Sequence, residues 1–235
     1  MTTPDFLRDK AKEMKADKPR RDYATEIPNV GRDDLAKWFK ELGFTSGAEI
    51  GVKEGVYSEV LCKANPLLHL HSVDPWLVRE EYHDNRGQGV FTKYEENARK
   101  RLAPYDCTIL KMKSGDAVAQ FARRSLDFVY IDGHHNLFNV IHDLTMWSAV
   151  VRPGGIIAGH DFVRYTNQAM HVPQGVLAYV DAYAIKPWYL LGRRHTAEGE
   201  YRDRHRTFLW TRPGYEADMR DYDPTMNGLA EMPVA

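Results

Sequence analysis

Two short clusters, Asp132-Gly133-His134-His135 and Gly159-His160-Asp161, hold the residue types best suited to metal binding and proton transfer in this 235-residue chain. Each cluster closes an apolar run, residues 126–131 in the first case and 155–158 in the second. Between them Val140, Leu144, Trp147 and Val151 fall at helical spacing. A strand–helix–strand unit implies parallel strands joined by a right-handed crossover. The carboxyl ends of such strands open at one edge, where open α/β sheets bind ligands. Asp132, His135, His160 and Asp161 are therefore expected to converge. Two carboxylates and two or three imidazoles at one edge can hold a metal and supply a base.

A second half-site lies upstream. Residues 47–61, GAEIGVKEGVYSEVL, read as a strand, a glycine-bearing turn and a helix start. Gly51 and Gly55 allow a tight turn and close approach of a ligand. The next apolar strand ends in Asp74, placed to accept bonds from ribose hydroxyls. Val52 stands where a dinucleotide fingerprint needs its second glycine, which argues for a nucleoside without a pyrophosphate. Glu49 suits a cationic ligand. Ser114 and Asp116 follow a third strand and are further candidates for cofactor contact, as is Asp132.

The pieces E-I-G-V-x-x-G, V-D-P-W, and I-D-G-x-H-x-x-x-x-V-x-x-D-L-x-x-W running into P-G-G-I-I-x-x-H-D together carry a resemblance. Over about residues 45–212 the chain resembles class I S-adenosylmethionine-dependent methyltransferases. More narrowly, it is similar to the metal-dependent sugar O-methyltransferases of macrolide and aminocoumarin biosynthesis and their bacterial and phage relatives. The resemblance implies that Asp132, His160 and Asp161 hold a divalent metal, with Mg²⁺ the first choice, and that His135 is the general base. It implies S-adenosylmethionine as cofactor and a small-molecule or sugar vicinal diol as acceptor. Two departures stand out. Leu137 replaces the usual aromatic, and His160 stands where relatives often carry an acid, which favours a softer ion if it ligates.

The elements around these motifs give the expected fold class. It is α/β: a single Rossmann-like methyltransferase domain, with a mostly parallel seven-stranded sheet, an antiparallel edge pair and helices on both faces. Helices are expected at 5–18, 33–42, 56–64, 93–102, 116–122, 137–150 and 173–184. Strands are expected at 48–52, 68–73, 107–112, 126–131, 155–159, 188–191 and 207–210. Residues 1–44 read as a helical extension, 45–212 as the domain and 213–235 as an acidic tail. The polar segment 76–92 reads as a mobile lid, with Trp76, Tyr82, His83 and Phe91 able to touch a substrate ring; a plain surface loop is the alternative.

Composition bounds the rest. A formal net charge of −1 provides no general attraction for nucleic acid or anionic membrane. No apolar run approaches a membrane span, and the N-terminus lacks a secretory h-region. Two cysteines, Cys62 and Cys107, read as small core residues of a cytoplasmic protein. Homo-oligomerisation is left open. Plainer readings also stand: Asp132 as a turn residue, His135 as a first-turn helix residue, Asp74 as a strand terminator, and Ser114 with Asp116 as a helix cap. His142 and Asp143 are expected away from the strand ends. Two other functions compete: a non-catalytic S-adenosylmethionine-binding interaction protein, and a nicotinamide-dependent oxidoreductase.

Overall fold

The computed structural model describes residues 1–17, 23–78, 87–164, 170–196, 198–201 and 203–214. Within them lie strands β1 (Thr25–Ile27), β2 (Ser46–Ile50), β3 (His69–Val73), β4 (Cys107–Leu110), β5 (Leu126–Ile131), β6 (Val151–Gly159), β7 (Tyr189–Leu191) and β8 (Thr207–Thr211). The helices are α1 (Thr3–Glu13), α2 (Arg32–Glu41), α3 (Val56–Ala64), α4 (Gln88–Leu102), α5 (Ser114–Val118), α6 (Leu137–Val150) and α7 (Val172–Ala182). The eight strands form one sheet in the order β1-β7-β8-β6-β5-β2-β3-β4.

The central strands β3, β2, β5 and β6 run parallel. Their apolar runs are buried on both faces, as crossover helices require. The chain order reverses between β2 and β5, so a crevice opens at the carboxyl ends there. Two core layers flank the sheet. One contains Leu144, Trp147 and Val176 from α6 and α7; the other contains Leu35, Phe39, Tyr57 and Leu61 from α2 and α3. Phe128 of β5 stacks on Phe39, ring centroids 3.9 Å apart, and fixes α2 against the sheet.

The sheet has eight strands rather than seven, and the antiparallel pair is not at its edge. β8 is antiparallel to both β6 and β7, but β1 then pairs parallel with the outer side of β7. An uncovered β7 would present unpaired N–H and C=O groups; β1 satisfies them. Phe6 and Leu7 of α1 are buried in the same layer as α2, so residues 1–44 contribute core and a strand. α4 begins at Gln88, five residues earlier than its periodicity suggests, which takes the second part of the expected lid into a helix.

Candidate active site

The carboxyl ends of β2, β3 and β5 and the end of β6 line a cleft of about 1120 Å³. Typical small-molecule pockets measure roughly 300–1,000 Å³, so there is room for a cofactor and an acceptor together.

The turn after β2 forms one half of the cleft. Gly51 adopts φ +92°, and a Cβ there would lie 2.1 Å from the carbonyl oxygen of Asp132. Only glycine lets the turn pass this close to the end of β5. Gly55 adopts φ +72° and starts α3. Asp74 crosses from β3 to brace the turn: its Oδ2 accepts the N–H groups of Val52 (3.0 Å) and Lys53 (2.9 Å). Its Oδ1 accepts the Trp76 N–H at 2.8 Å. The acid expected on a ribose is thus first a clamp on the glycine turn.

Glu49 lies inside β2, buried, and accepts a hydrogen bond from Ser58, which in turn accepts one from Ser72 at 3.1 Å. Burial pushes its carboxyl up to about 8; the Ser58 bond opposes this and the nearby Asp132 charge adds to it. Ser114 is committed within the protein. Its hydroxyl donates to Asp143 (2.6 Å) and accepts from the Trp147 indole (2.7 Å). Asp116 is exposed at the cleft wall. Asp143 is the buried hydrogen-bonding residue its sequence suggests. Contrary to expectation, His142 and Asp143 line the cleft, because the first turns of α6 lean over the end of β5.

The expected lid changes character. Trp76 is 1 % exposed, packs with Val52, Ala98 and Leu102, and donates its indole N–H to the Lys53 carbonyl. It packs beneath the 51–55 turn and lines the cleft there; a polar neighbourhood in sequence concealed that packing. Phe91 is half-buried on α4 and reaches the cleft. Tyr82 and His83 lie outside the described residues.

The second half holds the convergent clusters. Asp132 follows β5, where its N–H bonds the Ile50 carbonyl at 2.7 Å. Asp161 follows β6 with φ +59°. His135 Nε2 lies 3.0 Å from Asp161 Oδ2 and 3.6 Å from Asp132 Oδ1. His160 Nδ1 stands 3.7 Å from Asp132 and 3.6 Å from Asp161. Asp132, His135 and Asp161 each offer a ligand atom, and these atoms lie within 4.8 Å of one another. His134 also lines the cleft and accepts the Asn136 N–H through Nδ1 at 3.2 Å.

Charge balance is local. Burial disfavours the His135 imidazolium, but the adjacent Asp132 and Asp161 carboxylates outweigh it and lift the ring to about 9. Asp161 is also desolvated, yet His135, His160 and His205 hold its carboxyl well below the usual range. Below about pH 9 the His135 imidazolium thus offsets the two carboxylates.

Three contributors escaped the sequence motifs. Asp203 and His205 precede β8, which pairs antiparallel with β6 and so brings them beside residues 160–161. The Asp161 N–H bonds the His205 carbonyl at 2.9 Å, and His205 Nδ1 meets Asp161 Oδ1. Asp203 Oδ2 stands 3.7 Å from His160 Nε2. Arg32, from the first turn of α2, also lines the cleft. An Asp and a His just ahead of a strand antiparallel to β6 are the signal that would have found the first two. No local pattern marks Arg32.

Residues 48–162 match a family described as a methyltransferase domain. Over that stretch, which holds the parallel strands, the glycine turn and the acid after β3, the chain is similar to methyltransferase domains. The matched stretch spans both halves of the cleft but not Arg32, Asp203 or His205. Solved structures show the same fold. The O-methyltransferase TomG from Streptomyces achromogenes, determined with SAM, is 15% identical at a TM-score of 0.54, covering 77% of this chain and 78% of that one. A candidate O-methyltransferase from Klebsiella pneumoniae is 16% identical at a TM-score of 0.54, covering 89% of each. A candidate caffeoyl-CoA O-methyltransferase from Staphylococcus aureus is 14% identical at a TM-score of 0.53, covering 88% of this chain and 91% of that one. No curated protein matches the chain by sequence. None of its described helices is long and apolar enough to cross a membrane.

Proposed function

We propose that the protein is a metal-assisted O-methyltransferase that methylates one hydroxyl of a vicinal diol on a small molecule or sugar. The observation that carries this reading is the cluster of Asp132, His135 and Asp161 donor atoms beside the cofactor turn, within one cleft. That the structurally similar TomG is an O-methyltransferase supports a hydroxyl acceptor.

The residues fit a divalent ion. Asp132 and Asp161 would hold it as hard oxygen ligands, which suits Mg²⁺. His160, a short distance from both, would draw the preference toward Mn²⁺, Fe²⁺ or Zn²⁺ if it joins them. Such an ion lowers the pKa of a bound hydroxyl. It would also replace the positive charge that His135 now supplies to the two carboxylates.

The chain's own groups do the remaining work. The 51–55 turn and Asp74 would hold S-adenosylmethionine, which supplies an activated methyl group when bound. His135 Nε2, aimed between the two carboxylates, takes the hydroxyl proton as the oxygen attacks, a role worth about 10²–10⁴-fold.

The test is a methyl-transfer assay on a polyol panel with and without chelator. Activity should vanish on chelation and return with Mg²⁺ or a first-row divalent ion, and Asp161→Asn should raise the ion concentration needed for half activity. Full activity in excess chelator would sink the metal. His135→Ala should lower kcat by about a hundredfold or more with cofactor affinity nearly unchanged, and His134→Ala should cost far less. A second reading is favoured by the same cluster: His135 as ligand and His160 as base. In that case His135→Ala would weaken ion binding, and His160→Ala would carry the larger kcat loss.

A further inference from the structure

Arg32 is the one cleft-lining guanidinium among the described residues, and it donates no hydrogen bond. It stands at the first residue of α2 with a third of its side chain exposed. Its nearest charged partner is Asp132 Oδ2, 3.7 Å from a terminal nitrogen and beyond hydrogen-bond distance. The guanidinium lies over the Tyr57 ring, 4.9 Å from the centroid, and the Tyr57 hydroxyl donates to the Arg32 backbone carbonyl at 2.8 Å. Its body is thus held in place while its donors face the cleft.

Its neighbours say what kind of anion belongs there. Tyr57 sits two residues past Gly55, on the first turn of α3, so Arg32 overlooks the cofactor turn from the side facing β5. Glu49 and Asp132 line the same corner. The planar fork suits a carboxylate, and the Asp132 carboxylate beside it suits the ammonium group of a zwitterion. The N-terminal end of α2 adds its positive dipole end at the same place.

We propose that Arg32 binds the α-carboxylate of the amino-acid portion of S-adenosylmethionine, so that a residue outside the matched methyltransferase stretch completes the cofactor site. This rests on the reading that the cleft holds that cofactor. Arg32 binds and positions; it takes no part in proton or methyl transfer.

The test compares two ligands by calorimetry. S-Adenosylhomocysteine carries the α-amino-acid group; 5′-methylthioadenosine lacks it. Arg32→Gln should weaken S-adenosylhomocysteine by about 10–100-fold, as for a lost charge-assisted pair, while 5′-methylthioadenosine binds as in wild type. Arg32→Lys, which keeps the charge without the fork, should fall between. Thermal melts of each variant report whether the fold is intact. Equal loss of both ligands in a folded variant, or no loss of either, overturns the assignment. If wild type binds neither ligand, the cofactor reading fails as well, so the two failures are distinguishable.

Discussion

Glu49 makes a carboxyl group inside the sheet answer to pH. Burial raises it to about 8 in the folded chain, against an ordinary value of 4.5. Between those values the folded state keeps a proton that the unfolded state has released. The stability it contributes is therefore complete below about pH 4.5 and lost as pH rises toward 8. One such group gives at most about 1.4 kcal/mol per pH unit. Urea unfolding at pH 5.5 and 7.5 should show a smaller pH dependence for Glu49→Gln than for wild type; an identical slope would mean the carboxyl is ionised throughout. At this scale the sequence was informative where chemistry and strand ends coincide. Asp132, His135, His160 and Asp161 were legible because apolar runs stop at them. Ser114 lines the cleft, but the pairing of its hydroxyl with Asp143 and Trp147 follows no local sequence pattern.

Among the elements, the 51–55 turn depends on a bond partner 21 and 22 residues away. Asp74 takes two turn N–H groups on one oxygen, so losing it frees the turn as well as any ribose contact. Asp74→Ala should weaken S-adenosylhomocysteine by about 1–3 kcal/mol, and 5′-methylthioadenosine by a similar amount, since both carry the ribose. Unchanged calorimetric affinities would refute both roles. The β6–β8 ladder matters in another way. It carries Asp203 and His205 to the cluster from a charged stretch that reads as a connection, because an antiparallel partner is recognisable only after the sheet order is known. β1 was illegible for a simpler reason: three residues, Thr25–Ile27, are too few to show alternation.

For the whole molecule, the N-terminal segment is structural. Leu7 is fully buried against the α2 layer, and the Asp17 carboxylate pairs with Arg193 near β7. Leu7→Ala should cost about 2–5 kcal/mol of global stability, as buried leucine truncations do, seen as a lower urea midpoint with an unchanged slope. A detached helix would leave the midpoint where it is. The overall α/β architecture was readable because alternating strands and amphipathic helices admit few topologies. The eighth strand was not, because edge pairing answers to exposed backbone rather than to side-chain pattern.

The Gly51 contact has a thermodynamic corollary. The cofactor turn rests on the Asp132 carbonyl with no room for even a methyl group. The two halves of the cleft therefore share one piece of backbone, and neither can shift alone. Occupying the turn should restrict the Asp132 carboxylate, here proposed as an ion ligand, and loading an ion there should stiffen the turn. Such cooperation must be symmetrical in free energy: the factor by which S-adenosylhomocysteine tightens Mn²⁺ binding should equal the factor by which Mn²⁺ tightens S-adenosylhomocysteine.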